Sequence, residues 1–181
     1  MVKVAPGDFP EPPKTLSVSA LLQGYEQRPG NITKEQFVER FCDRSTGKDL
    51  WQYPNPSIGS FISDYTGTAI KFKITLGPGT LIDRFGGDDT RYFAPLGTPY
   101  AMRSLPPCVL GIPSTYSVYR VLQPLEVEAG PIAPGFLQPG LGTQYVALQK
   151  SDADKVSATT LMQAGVIEKL SDGEVLKMYQ H

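Results

Sequence analysis

The middle of this sequence places arginines beside aromatic residues. Asp83-Arg84-Phe85-Gly86-Gly87 is followed by Arg91-Tyr92, and a third arginine, Arg103, precedes Leu105-Pro106-Pro107. The fork of an arginine side chain matches two phosphate oxygens, and aromatic faces attract flat cationic rings. Each piece alone has an ordinary explanation, because an aspartate beside an arginine is usually a surface ion pair worth less than ~1 kcal/mol. The segment is therefore a candidate binding site only when its parts are taken together.

Residue types exclude several other kinds of chemistry. The one histidine, His181, ends the chain, so a Ser-His-Asp or Cys-His mechanism would depend on a residue where fraying is expected. Cys42 and Cys108 form no CxxC pair, which excludes a structural zinc site. These two cysteines are equally compatible with one disulfide and with two buried thiols. The glycine runs at 77–79 and 140–142 lack the context of a phosphate-binding loop.

The composition is that of one globular domain with a β-rich centre. The chain has 181 residues, 40% of them hydrophobic, and a net charge of −1. This balance argues against a nucleic-acid partner held by bulk electrostatics, and no apolar run is long enough to span a membrane. Of the 35 glycine and proline residues, 20 lie between Gly77 and Gly142. That density excludes long helices there and predicts short strands joined by turns.

Local patterns predict the elements that hold this segment. Thr33 and Gln36 form a capping box ahead of a helix over residues 34–42. Alternation predicts a half-buried strand whose inward residues are Ile70, Phe72 and Ile74. The other predicted strands cover residues 80–85, 142–148 and 166–170, and the half-buried strand covers residues 68–76. Residues 116–127 are predicted to form a single strand bent at Pro124. Short helices are predicted at residues 16–22 and 157–164.

These elements predict an α+β fold. Its core is mainly antiparallel β, with an N-terminal helical region and a short α/β C-terminal tail, because the strands are not regularly separated by helices. We expect residues 1–50 to be a lead-in and helix that belong to the same unit as the core, which spans residues 51–181.

In this order the pieces resemble the necrotizing-toxin (TNT) domain, a NAD glycohydrolase family of bacterial secreted toxins and fungal surface enzymes. The resemblance runs from Trp51-Gln52-Tyr53-Pro54 to about Leu170. Its most specific parts are Asp83-Arg84-Phe85-Gly86, Arg91-Tyr92, the run from Tyr119 to Pro134, and Gln144-Tyr145. The segments Phe41-Cys42 and Trp51 to Pro54 resemble the fungal branch more closely.

The resemblance implies roles for particular residues. Arg84 and Gln144 match the catalytic positions, and Phe85 and Tyr92 match the aromatic positions near nicotinamide. Arg103 matches an arginine that reaches toward the dinucleotide phosphates. Ser117, expected to contact substrate, stands where the toxin branch has a histidine, which again favours the fungal branch and puts histidine-dependent chemistry in doubt.

The resemblance also implies an activity, which is cleavage of NAD or NADP to nicotinamide and ADP-ribose. The open alternatives are an ADP-ribosyl cyclase or transferase and a non-catalytic nucleotide-binding module. No cofactor is expected beyond the NAD(P) substrate. Relatives suggest a homodimer and a calcium site, for which Asp152, Asp154, Asp172 and Glu174 are the candidates, although a solvated surface explains the same carboxylates. They also imply a secreted or cell-surface protein, and because the start of the chain has no apolar signal segment we expect a mature or trimmed form.

Overall fold

The computed structural model describes residue 9 and residues 16–45, 50–111, 116–149 and 155–179. Within these ranges a seven-stranded sheet carries four short helices. The strands are β1 (Cys42–Asp43), β2 (Leu50–Trp51), β3 (Phe72–Leu76), β4 (Leu81–Phe85), β5 (Tyr92–Pro95), β6 (Tyr116–Val121), β7 (Leu125–Pro131), β8 (Thr143–Ala147) and β9 (Ile167–Lys169), and the helices are α1 (Leu16–Leu21), α2 (Lys34–Phe41), α3 (Ala158–Gln163) and α4 (Asp172–Met178).

The sheet is antiparallel throughout. Its strand order is β3-β7-β8-β5-β4-β6-β9, and β1 and β2 form a separate antiparallel pair. The α+β class with an antiparallel core and an N-terminal helical region is therefore confirmed. Helix α2 begins at the predicted capping box, since the Thr33 hydroxyl accepts from the backbone N–H of Gln36 and the Gln36 side chain accepts from that of Thr33.

Strand β5 changes partner along its length, and this forks the sheet. Its second half pairs with β4 through Asp83 and Ala94, whereas its first half pairs with β8 through Phe93 and Tyr145. The last two residues of β4, Arg84 and Phe85, are paired with β6 but not with β5. The two strands therefore separate at this point, and the side chains at the fork surround open space.

The core lies on both faces of the sheet. On one face, a cluster that includes Ile82, Tyr119 and Val127 is covered by Ala158 of α3. On the other face, Val118 packs against Leu170 and against Val175 of α4. Rigid packing on both sides of the neighbouring strands β4 and β6 fixes the backbone that leads into the fork.

The strand predicted over residues 68–76 is shorter than expected, and the prediction that its apolar residues face inward is wrong. Strand β3 begins at Phe72, and Ile70, Phe72 and Ile74 are exposed by 37%, 71% and 39%. The alternation is real, because Phe72 and Ile74 pair with Ala129 and Val127 of β7. However, β3 is an edge strand, and only its last residue, Leu76, belongs to the buried cluster.

The predicted single strand over residues 116–127 is also wrong. It is two strands, β6 and β7, which three other strands separate in the sheet. The chain leaves the sheet at Leu122 to Pro124, where Leu122 and Gln123 donate backbone hydrogen bonds to Val166. Proline removes a backbone donor, and here it marks a crossover between strands rather than a bend within one.

The N-terminal helical region packs on the core through aromatic side chains. Phe37 of α2 is fully buried, and it contacts Trp51 and Phe136 with ring centroids 6.2 and 6.4 Å apart. Cys42 and Cys108 are both buried thiols and are not joined by a disulfide. None of the described helices is long and apolar enough to cross a membrane.

Candidate active site

A cavity of about 430 Å³ opens at the fork between β4 and β5. Five of the six residues predicted to act on substrate line it: Arg84, Phe85, Tyr92, Arg103 and Gln144. The sixth, Ser117, does not. The cavity is concave and mostly apolar with a few polar side chains, which is the usual character of a small-molecule site.

Arg84 enters the cavity from the unpaired end of β4, and its guanidinium is held by one residue. Nη1 donates to the carbonyl oxygen of Thr90 at 2.7 Å, and Nη2 donates to the Thr90 hydroxyl at 2.8 Å. The guanidinium lies over the Phe93 ring, 5.8 Å from its centroid. Burial lowers the pKa of Arg84, an effect opposed by Tyr119 and by the carboxylates of Asp88 and Asp89. An arginine so placed keeps its charge at neutral pH.

Arg103 lines the cavity as one half of a buried ion pair. Its Nη2 lies 2.6 Å from Oδ1 of Asp83, and the two side chains are 7% and 0% exposed. Nε and Nη2 also donate to the Thr98 carbonyl oxygen at 2.8 and 2.6 Å. The pair thus neutralises much of the charge of Arg103 at the cavity wall.

Asp83 is anchored by two further donors. Its Oδ2 accepts from the Gly97 backbone N–H at 2.9 Å and from the Tyr116 hydroxyl at 2.8 Å. Burial raises the pKa of Asp83, whereas Arg103 and these hydrogen bonds act in the opposite direction by favouring the carboxylate. Tyr116 in turn meets Tyr179, just after α4, with the hydroxyls 3.0 Å apart.

The aromatic wall is formed by Phe85 and Tyr92. Phe85 is buried, and the guanidinium of Arg103 lies 5.0 Å from its ring centroid. Tyr100 and Tyr116 contact the same ring. Tyr92 is 40% exposed, at the opening. One ring is therefore fixed inside the cavity and the other stands at its mouth.

Gln144 occupies the wall formed by β8. Its Nε2 donates to the Gly59 carbonyl oxygen at 2.8 Å, which fixes the plane of the amide. The chain reaches β8 through Gly142, where an added Cβ would lie 2.6 Å from the carbonyl oxygen of Met102. Only glycine allows this close approach, and it brings the start of β8 up to the cavity.

Ser117 lies beside Arg84 on the neighbouring strand and does not line the cavity. The two residues are paired across β4 and β6, and the Ser117 hydroxyl is buried with no hydrogen-bond partner in the described part of the chain. Its position suits contact with the arginine more than contact with a ligand.

Sequence reasoning missed Asp89 and Thr90, both of which line the cavity. They belong to the loop that joins β4 to β5, and the glycines at 86 and 87 were the only local signal that the chain turns there. Glu126 and Glu128, the two glutamates of β7, do not line the cavity. As alternation predicts, both point to one face of β7, opposite Thr75 and Lys73.

The described residues form no calcium site. Asp152 and Asp154 lie outside the described ranges. Asp172 and Glu174 stand in the first turn of α4, where the Glu174 carboxylate accepts from the backbone N–H and hydroxyl of Ser171. Acidic residues in this position serve as a helix cap. No group of three candidate metal ligands occurs among the described residues.

An antiparallel sheet that forks around an arginine- and aromatic-lined cavity defines an α+β domain with a small-molecule site. The family model described as Tuberculosis necrotizing toxin (TNT) matches residues 75–170. The chain is 34% identical over 152 residues to the conidial surface nicotinamide adenine dinucleotide glycohydrolase nadA of Aspergillus fumigatus. The match covers 81% of this chain but only 61% of the length of that relative. The chain belongs to the TNT family.

A solved structure carries the same fold. The tuberculosis necrotizing toxin, in complex with its immunity factor IFT, matches with a TM-score of 0.64 at 21% sequence identity. The match covers 92% of this chain and 87% of that one. This chain and the toxin therefore share the same overall fold.

Proposed function

We propose that this protein is an NAD(P) glycohydrolase, which adds water across the bond between nicotinamide and ribose to release nicotinamide and ADP-ribose. The observation that carries the proposal is that Arg84, Phe85, Tyr92, Arg103 and Gln144 line one cavity of a TNT-family chain. The name of the relative from A. fumigatus, a NAD glycohydrolase, supports the same reaction.

The cavity suits this reaction because the leaving group needs no proton. Nicotinamide in NAD carries a positive charge and departs as a neutral ring, so the carboxylic acid that ordinary glycosidases use is unnecessary. The two glutamates of β7 lie away from the cavity, in keeping with this chemistry. The protein has to hold both sides of the bond and favour the oxocarbenium-like transition state.

Arg84 is the proposed phosphate-binding group. Thr90 takes two of its five N–H donors, which leaves others for pyrophosphate oxygens. Arg103 is closely paired with Asp83, so its charge contributes less to an anion, and we assign it mainly to holding the Phe85 ring. This assignment modifies the phosphate-binding role that the resemblance implies for Arg103.

Phe85 and Tyr92 are the proposed contacts of the nicotinamide ring, whose positive charge favours aromatic faces before the bond breaks. Gln144 is proposed to hold the ribose hydroxyls or the attacking water. Its amide is neutral and so does not repel the phosphates, and its hydrogen bond to Gly59 orients it before substrate binds.

Analysis of the products separates this proposal from the alternatives. The protein is incubated with NAD, and nicotinamide, ADP-ribose and cyclic ADP-ribose are resolved by chromatography. ADP-ribose in equal amount to nicotinamide supports the hydrolase. Cyclic product, or ADP-ribose attached to an acceptor, identifies the cyclase or transferase, and NAD binding without nicotinamide release identifies the non-catalytic module.

Four further expectations accompany the proposal. We infer that NADP is a second substrate and that no step requires a resident metal. We also infer a secreted or cell-surface location, which the name of the conidial surface relative supports. The aromatic contacts of Phe37 with Trp51 and Phe136 support a single unit made of residues 1–50 and 51–181.

A homodimer, the remaining expectation from the resemblance, is proposed to form along β3. This edge strand exposes Phe72 and Ile74, Ile70 is exposed two residues before it, and the outer edge of β3 itself is unpaired among the described strands. Exposed apolar rows on unpaired edges favour association.

A further inference from the structure

We propose that Thr90 is a positioning residue that presents the guanidinium of Arg84 to substrate, and that its hydroxyl is required for this. Thr90 lines the cavity beside Arg84 but has no assigned role in binding or chemistry. The catalytic consequence rests on the proposed function, whereas the positioning itself does not.

The contact between the two residues fixes an orientation and not merely a distance. The carbonyl oxygen and the hydroxyl of Thr90 accept from different terminal nitrogens, at 2.7 and 2.8 Å. Two hydrogen bonds to two nitrogens define the plane of a guanidinium, as in a bidentate pair. The Phe93 ring, 5.8 Å from Cζ, supports this group.

Thr90 can impose this orientation because its own backbone is fastened to α3. Its carbonyl oxygen, which accepts from Arg84, also accepts from the backbone N–H of Ala158 at 2.9 Å. Two residues earlier, the carbonyl oxygen of Asp88 accepts from the backbone N–H and the hydroxyl of Thr159, both at 2.9 Å. The loop between β4 and β5 is thus held at two points by the first turn of a packed helix.

The carboxylate of Asp88 adds a third attachment. It accepts a hydrogen bond from the Tyr119 hydroxyl and pairs with Nζ of Lys169 at 3.1 Å. Tyr119 and Lys169 belong to β6 and β9, on the far side of β4 from the cavity. Because helix and sheet both hold this loop, its position does not depend on a ligand.

Without the Thr90 hydroxyl, Arg84 would lose the contact that fixes its plane. One hydrogen bond to the Thr90 carbonyl would remain, and the guanidinium could turn about it. Displacement of a positioned group by about 1 Å can cost on the order of 100-fold in rate. Since half of the contact survives, we expect a loss of about tenfold in kcat/KM.

The test compares Thr90→Val, which has the same shape but no hydroxyl, with Thr90→Ser, which restores the hydroxyl. Thr80→Val is the matched control, because it too removes a threonine hydroxyl that makes a side-chain hydrogen bond, here donated to the Gly77 carbonyl oxygen at 2.7 Å, but Thr80 lies outside the cavity lining. Kinetics with NAD are combined with NMR of the arginine side chains in ¹⁵N-labelled protein. The Arg84 signals are assigned by their loss in Arg84→Lys.

The proposal predicts slow rotation of the Arg84 terminal nitrogens in the wild-type protein and in Thr90→Ser. It predicts fast rotation in Thr90→Val, together with the tenfold loss of kcat/KM, while Thr80→Val behaves as wild type. Fast rotation in the wild type overturns the positioning role even if Thr90→Val fails to fold. Equal rotation in wild type and Thr90→Val, or full activity of Thr90→Val, overturns it as well. A wild type that releases no nicotinamide but shows the rotational difference contradicts the proposed function and supports the positioning.

Discussion

Replacing Asp83 by asparagine is expected to be among the most damaging changes that preserve side-chain shape. The carboxylate is fully buried, pairs with Arg103 at 2.6 Å, and accepts from Gly97 and Tyr116. Asparagine keeps one acceptor oxygen but replaces the other with an N–H₂ group. Arg103, itself 6% exposed, would then be a buried cation without its counter-charge.

The size of the effect follows from this burial. Breaking a buried ion pair by removing one partner typically costs about 3–5 kcal/mol, because the remaining charge stays buried without compensation. For a chain of this length, 1 kcal/mol corresponds to roughly 2–4 °C in Tm, so Asp83→Asn should lower Tm by about 6–20 °C. The retained Thr98 carbonyl contacts of Arg103 place the expected value toward the lower part of that range.

The assay is thermal unfolding followed by circular dichroism, with a surface ion pair as control. Glu168 pairs with Arg120 on the sheet, but the two side chains are 43% and 38% exposed. Glu168→Gln should therefore cost less than ~1 kcal/mol. If Asp83→Asn lowers Tm no more than Glu168→Gln does, the Asp83 ion pair does not stabilise the fold as argued.

Further predictions concern the reaction and the assembly. Gln144→Ala should lower kcat by about 100-fold or more with a smaller change in KM, because its proposed role is in the transition state; an unchanged kcat in folded protein would remove Gln144 from the site. Arg84→Ala should lower kcat and raise KM together, measured by initial rates with NAD; a normal KM would contradict phosphate binding. Burial acts to raise the pKa of Asp88, but hydrogen bonds from Tyr119 and Lys169 hold this pKa below its usual value. The stability that the Asp88 carboxylate contributes is therefore lost only as the pH falls below about 4. With no histidine in the described lining, kcat/KM should be level between about pH 5 and 8, and a bell-shaped profile there would indicate an unrecognised acid or base. Phe72→Glu should convert a dimer to monomers in light scattering, and a wild-type monomer would contradict the homodimer.

Local chemistry made part of the fold predictable. The capping box at Thr33 and Gln36 specified the start of α2 because it depends on four consecutive residues. The same signal was present at Ser171 and Glu174, where it begins α4. In the sequence these carboxylates are candidates for a calcium site or for a solvated surface, and neither interpretation predicts a helix, so α4 is missing from the predicted elements.

The alternation of apolar and polar residues could not predict where a strand lies within the sheet. A period of two identifies which residues share a face, as it did for Phe72 and Ile74, but not whether another layer covers that face. Likewise, Pro124 showed where the chain must change course, but only long-range pairing distinguishes a bend from a crossover. Strand β5 was missed because four residues ending in proline carry almost no periodic signal, and yet it creates the fork.

The principal residues of the cavity could be predicted from the sequence, but the residues that hold them in place could not. Arg84 and Gln144 lie 60 positions apart in the sequence, and the family pattern, rather than any local rule, suggested that they act together. Thr90 had no motif to mark it, because its role depends on a loop fastened to α3. Contacts of this kind arise from tertiary structure alone.

The most direct test of the account is the rate of nicotinamide release from NAD by the purified protein, measured beside Gln144→Ala and the surface variant Glu168→Gln. The account predicts steady turnover by the wild type, equal turnover by Glu168→Gln, and a loss of about 100-fold in Gln144→Ala. No release of nicotinamide by folded wild-type protein, or release at the same rate by Gln144→Ala, would contradict it.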